Sequence, residues 1–220
     1  MHLHSDDARR WLGLPVLALC ALGATSCADA RGRFEDFQNR PAGHAGAVQK
    51  QADDGVSCEP PPPNSINGPA LLAIVTNLTG GHPILFLGII TTPPLEGTTA
   101  VDFKYRALDS LDRRTRVGDM LEVGPFALHD GLLTAPVDES TLDGAANPVF
   151  PGTPITSEMT LSGRVCGVAP FYCGTLSGST SGLLSGTFTG TFGITLLDGP
   201  DAVPEQPQFG CGANDLAPPL

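Results

Sequence analysis

The chain has 220 residues, a formal net charge of −11 and a charged fraction of only 16%, with 27 Gly and 21 Pro. Less a leader and a polar tether, that length gives one domain of about 150 residues, large enough to bury a core, and the Gly and Pro content favours strands and turns over helices. Carboxylates are spread along the chain and the largest basic group is Arg113-Arg114-Thr115-Arg116, which excludes nucleic acid as a partner, because phosphate binding needs a concentrated basic surface.

The first 26 residues read as an export signal. Arg9-Arg10 precede an apolar run from Trp11 to Leu22, which is followed by the small residues Gly23, Ala24, Thr25 and Ser26. Such a run is too short to span a bilayer as a stable helix and suits a cleaved leader. The ending Ala24-Thr25-Ser26-Cys27 resembles the lipobox of bacterial lipoproteins. That resemblance implies a diacylglycerol on Cys27, which becomes the first residue of the mature chain, and a membrane held through this lipid anchor. Ala28, rather than Asp, after the cysteine implies by the same resemblance an outer-membrane, periplasm-facing destination in the cell envelope. The alternative is an ordinary secretory leader cut near the same place, giving a secreted protein.

Six cysteines follow from that reading by arithmetic. Cys20 leaves with the signal and Cys27 takes the lipid, so Cys58, Cys166, Cys173 and Cys211 remain, an even number in an oxidising compartment. Two disulfides are expected. Cys166 with Cys173 is the preferred pair, because only six residues separate them. Cys58 with Cys211 would then tie the domain's ends and close a loop of about 150 residues, worth roughly 4 to 5 kcal/mol in the chain-entropy model. A zinc site is disfavoured, because no Cys-x-x-Cys pair occurs.

Residues 27–66 read as a disordered tether, polar and ending in the run Pro60 to Pro63. About 30 flexible residues would hold a domain on the order of 30 Å from the lipid. The β-domain is expected over 67–212, with 213–220 as a tail. Leu71 to Leu78 and Ile84 to Ile90 are short apolar runs joined by Thr79-Gly80-Gly81-His82-Pro83, and both read as strands. Val101 to Ala107 alternates apolar with charged residues, the period of a strand with one face on a core. Leu108 to Asp119 reads as a loop, Met120 to Leu128 and Leu132 to Val137 as strands about the Asp130-Gly131 turn, and Asp138 to Pro154 as a long irregular loop.

The triplet Leu-Ser-Gly recurs at Leu161, Leu176 and Leu184, each time with a second Gly four residues after the first. In the last copy Leu184, Gly186, Phe188, Gly190, Phe192, Ile194 and Leu196 share one face, and Thr187, Thr189, Thr191 and Thr195 the other. Threonine suits a strand, and Gly alternating with Phe is the pattern of a bent strand whose glycines are covered by neighbouring rings. Ile155 to Val165, Phe171 to Leu176 and Leu183 to Leu197 therefore predict a curved three-stranded meander. The fold class is all-β, an antiparallel sandwich of about eight strands or, alternatively, a closed barrel.

Chemistry-bearing residues are sparse. His82 and His129 each sit beside a turn and belong to no catalytic or metal motif. Gly178-Ser179-Thr180-Ser181-Gly182 lacks the central Ser and the strand-to-helix context of a nucleophile elbow, and reads as a hairpin turn. Asp138, Glu139 and Asp143, or Asp198 and Asp201, offer loop oxygens but not the spacing of an EF-hand. No catalytic residue, metal or cofactor is assigned. The expected function is a structural or protein-interaction module with an envelope protein as partner. The alternative is a small-molecule or lipid carrier in which Phe86, Phe103, Phe188 and Phe192 line a barrel interior.

Overall fold

A computed structural model describes residues 58–167, 169–182 and 185–218. The export signal, Cys20, Cys27 and the tether up to residue 57 lie outside the described residues, as do Leu183 and Leu184. Eight long strands carry the fold: β1 (Asn67–Thr76), β2 (Ile84–Thr91), β4 (Thr98–Leu108), β5 (Arg116–Ala127), β6 (Leu132–Leu142), β7 (Ile155–Val165), β8 (Tyr172–Ser181) and β9 (Gly186–Leu196), with the two-residue β3 (Pro94–Leu95) beside β4. Each expected strand is present. Their ends differ from the sequence reading by a few residues, and at β5, β6 and β8 polar residues expected in loops or turns extend a strand.

The clearest case is β6, which runs five residues beyond Val137 into the stretch expected to be irregular. Asp138 and Glu139 interrupt its register, and Ser140, Thr141 and Leu142 then pair with Ser157, Thr156 and Ile155. Likewise β8 continues through Gly178 to Ser181, paired residue by residue with β7 and β9. The Gly178 to Ser181 stretch is therefore strand, and a turn starts only at Gly182, whose φ is +89°. Strand β5 begins at Arg116, within the expected loop, and only Asp109 to Thr115 forms that loop.

All pairings are antiparallel and join into one sheet in the order β5-β4-β2-β1-β9-β8-β7-β6. The sheet curls into a half-barrel, an arrangement between a sandwich and a closed barrel. Glycine makes the curl possible. Gly88, Gly174 and Gly178 sit opposite Tyr105, Phe192 and Phe188 on the neighbouring strands, and a Cβ on Gly178 would stand 2.7 Å from Phe188 Cζ. The ring of one strand thus lies over the bare backbone of the next, as the Gly and Phe alternation implied.

The concave face holds the main core, including Leu72, Ile90, Val101, Leu133, Leu161, Val165 and Ile194. A second, smaller core lies on the convex face, where Leu71, Ala73, Leu85, Leu87 and Leu108 meet Leu197, Val203 and Phe209 of the chain after β9. Strands β1 and β2 are therefore buried on both faces, which is why their sequences run apolar without alternation.

All four cysteines form disulfides, but the pairing differs from the preferred one. Cys58 joins Cys166 and Cys173 joins Cys211, with Cα separations of 5.1 and 5.2 Å. The register explains the correction. Arg164 pairs with Cys173, and the Cys166 N–H donates to Phe171 O at 2.7 Å. Cys166 and Cys173 are therefore diagonal neighbours, about 7 to 8 Å apart in a regular ladder, beyond the roughly 4.4 to 6.8 Å that a disulfide spans. Closeness in sequence was outweighed by a two-residue offset across the hairpin.

The segment Cys58 to Ile66, read as the end of the tether, lies against one end of the curl. Pro61 is buried, its carbonyl accepts from Thr99 Oγ1 at 3.0 Å, and Ile66 packs on the main core. After Cys211 the tail turns back: Gln208 bridges to Leu216, and Ala217 is fully buried.

Candidate functional site

The two ends of the curl differ. At the end carrying Cys58, Val101, Leu133, Val165 and Ile194 fill the interior. In the middle, Phe103 stacks on Tyr105 and Tyr172, with centroids 5.7 and 6.0 Å apart, and Tyr172 meets Phe192 edge-on at 4.6 Å. The Tyr172 hydroxyl is 3.2 Å from both Leu133 O and Leu161 O. The Tyr105 hydroxyl, also buried, has no hydrogen-bond partner among the described residues. Burial raises the pKa of both phenols above the ordinary tyrosine value, and for Tyr105 the proximity of Tyr172 adds to the rise.

At the other end the interior is not filled. A pocket of about 80 Å³ opens there, with apolar walls from Ile74, Phe86, Val117, Leu121, Met159 and Phe188 and hydroxyls from Thr76, Thr79 and Thr180. It adjoins an open groove of about 670 Å³ under the loop after β6. The two share Gly118, Asp119, Thr141 and Asp143. The β5 and β6 edges flank this region. They pair with β4 and β7 respectively and not with each other, apart from the His129 and Leu132 bridge at the far end.

Three aspartates line the groove: Asp109, Asp119 and Asp143. Asp109 Oδ1 accepts from Leu111 N and Asp112 N at 2.8 and 3.3 Å. Asp143 Oδ1 accepts from Ala145 N at 2.8 Å, capping the short 3-10 turn Gly144–Ala146. Fully buried Asn147 holds the far wall, donating to Thr153 O and accepting from the Val149 and Phe150 N–H groups.

Of the four phenylalanines expected to line a carrier interior, Phe86 and Phe188 reach the pocket, whereas Phe103 and Phe192 are packed, at 1% and 0% exposure. His82 lies in the β1–β2 turn at the pocket end and His129 in the β5–β6 turn at the opposite end, both exposed. Ser179 Oγ donates to Glu158 Oε1 at 2.9 Å on the convex surface, away from either histidine. Asp138 and Glu139 are exposed on β6 rather than in a loop, and Asp198 and Asp201 are exposed after β9. Among the described residues no three His, Cys, Asp or Glu side chains converge as metal ligands, and no helix is long and apolar enough to cross a membrane.

The sequence reading missed the groove because Val117-Gly118-Asp119 was assigned to a loop. No local signal marked it: Asp119 falls on the same alternate positions as Val117, Leu121 and Val123 and breaks the apolar side of the pattern, where the β4–β5 register shifts between Val117 and Leu121. No family model, no curated protein and no solved structure matches this chain.

Proposed function

We propose that the chain is an exported lipoprotein, anchored through a diacylglycerol on Cys27, whose disulfide-stapled β-domain serves as a protein-interaction module in the cell envelope. The observation that carries the choice of module over carrier is the packed middle of the curl. The Phe103, Tyr105, Tyr172 and Phe192 cluster occupies the middle of the curl, so the apolar pocket is only about 80 Å³, well below the roughly 300 to 1,000 Å³ of sites that enclose a small molecule, and the adjoining groove of about 670 Å³ is open and lined by three aspartates rather than by an apolar wall. Two disulfides support folding in an oxidising, extracytoplasmic compartment. The lipid rests on the lipobox resemblance alone.

Native mass spectrometry of the full chain, expressed in a bacterium and extracted from its membranes, tests this reading. The expected species carries a diacylglycerol at Cys27 and no stoichiometric small molecule. A co-purified lipid or metabolite at one per chain would replace the module by a carrier, and a lipid-free soluble product would remove the anchor.

A further inference from the structure

The pocket and groove at the open end differ in chemistry and are continuous. The pocket is an apolar hollow lined by Ala107 and Phe188, and Tyr105, two positions before Ala107, and Phe192, four after Phe188, belong to the buried core. Its volume of about 80 Å³ is near half of the roughly 150 Å³ that accepts a benzene ring. That space suits the end of one aliphatic side chain and not the length of an acyl chain. The groove outside it is acidic and roomy. Asp109, Asp119 and Asp143 line it, and no Lys, Arg or His lines either space. Of the neighbouring cations, Arg113 Nη1 donates to Pro218 O at 3.2 Å, Arg116 Nη2 donates to Pro200 O at 3.4 Å and lies 4.0 Å from Asp201, and exposed Arg114 lines neither space. The second oxygens of Asp109 and Asp143 have no hydrogen-bond partner among the described residues.

We propose that this open end is the domain's recognition site, and that it takes one leucine-sized side chain of a partner protein into the pocket, with flanking basic residues of that partner in the acidic groove. The proposal rests on the interaction-module reading and deepens it. Charge complementarity selects the occupant, since a fatty-acid carboxylate or an acidic peptide would bring like charge against three aspartates. One buried side chain with exposed ion pairs gives a weak contact for a short peptide, about 1 mM, which a longer partner strengthens.

The methionines supply the probe. Met159 lines the pocket, whereas Met120 is 52% exposed on β5 and does not. The exported full chain, labelled with 13C at its methionine methyl groups and solubilised in detergent, is titrated with the acetylated, amidated pentapeptide Gly-Lys-Leu-Lys-Gly. A saturable shift at Met159, with Met120 unmoved, is expected. The Glu-for-Lys and Ser-for-Leu peptides should bind at least tenfold more weakly. Asp119→Lys, a change at an exposed side chain, should weaken binding of the first peptide about tenfold, and Val117→Phe should abolish it by filling the pocket. No saturable shift, or equal binding of the acidic peptide, would overturn the proposal. Equal binding of butylammonium would replace it by a site for a free amine. A chain that binds no peptide and carries no small molecule overturns this site alone, whereas a stoichiometric bound lipid overturns the module reading as well.

Discussion

Tyr105 and Tyr172 both stack on Phe103 in the same core, yet they differ in what holds their hydroxyls. Tyr172 has two carbonyl oxygens within reach, whereas Tyr105 has no partner among the described residues. Removing a satisfied buried hydroxyl leaves its acceptors unpaired and costs about 1 kcal/mol, whereas removing an unsatisfied one relieves a desolvation cost of similar size. Tyr172→Phe should therefore lower the urea midpoint and Tyr105→Phe should leave it unchanged or raise it. Equal losses would show that the Tyr105 hydroxyl has a partner. The pH dependence follows from the same pair. Both phenols titrate above the ordinary value of 10.0 in the fold, so the unfolded chain releases their protons first. Stability is intact below pH 10 and falls as the pH rises beyond it, and the double Phe variant should fall less steeply in urea melts between pH 9 and 11. At Gly178 a new Cβ would press on Phe188 Cζ at 2.7 Å and on Met159 Cα at 2.9 Å, whereas at Gly68 it would meet nothing within 4 Å. Gly178→Ala should thus cost about 1 to 3 kcal/mol and Gly68→Ala less than about 0.5.

Among the elements, β1 and β2 depend on the chain that follows β9. Their convex face is covered by Leu197, Val203 and Phe209, and Cys211 fastens that cover to Cys173 on β8. Phe209→Ala should cost about 2 kcal/mol, less than the roughly 3 to 5 expected for fully buried Phe192→Ala, with both read from denaturation midpoints. If Phe209→Ala were silent, the cover would be ornamental and β1 would tolerate an open face. This double burial was only half legible in the sequence. The unbroken apolar runs at Leu71 and Ile84 marked buried strands, but nothing in them named the distant Phe209 as the cover. The alternation of Val101 to Ala107 and the Gly and Phe pattern of β9 gave strands and curvature directly, because period two and small-large packing are local properties. The extension of β6 and the start of β5 were not legible. Their residues are polar and exposed, as in a loop, and only ladder pairing to β7 and β4 makes them strand. The groove they frame was hidden for the same reason.

The described domain combines a curled sheet with a filled middle, two staples that both engage the β7–β8 hairpin, and an acidic, partly open end. The pairing of the staples is the most discriminating part of it. Cys58 to Cys166 closes a separation of 108 residues and Cys173 to Cys211 one of 38, worth about 5 and 4 kcal/mol in the chain-entropy model. Both depend on the two-residue offset that keeps Cys166 from Cys173. Proteolysis of the exported full chain without reduction, followed by mass spectrometry of the linked peptides, tests this directly. The account predicts one fragment joining Cys58 to Cys166 and another joining Cys173 to Cys211, with no free thiol at any of the four. Fragments joining Cys166 to Cys173, or four free thiols, would contradict it, and with it the hairpin register and the oxidising compartment on which the functional reading stands.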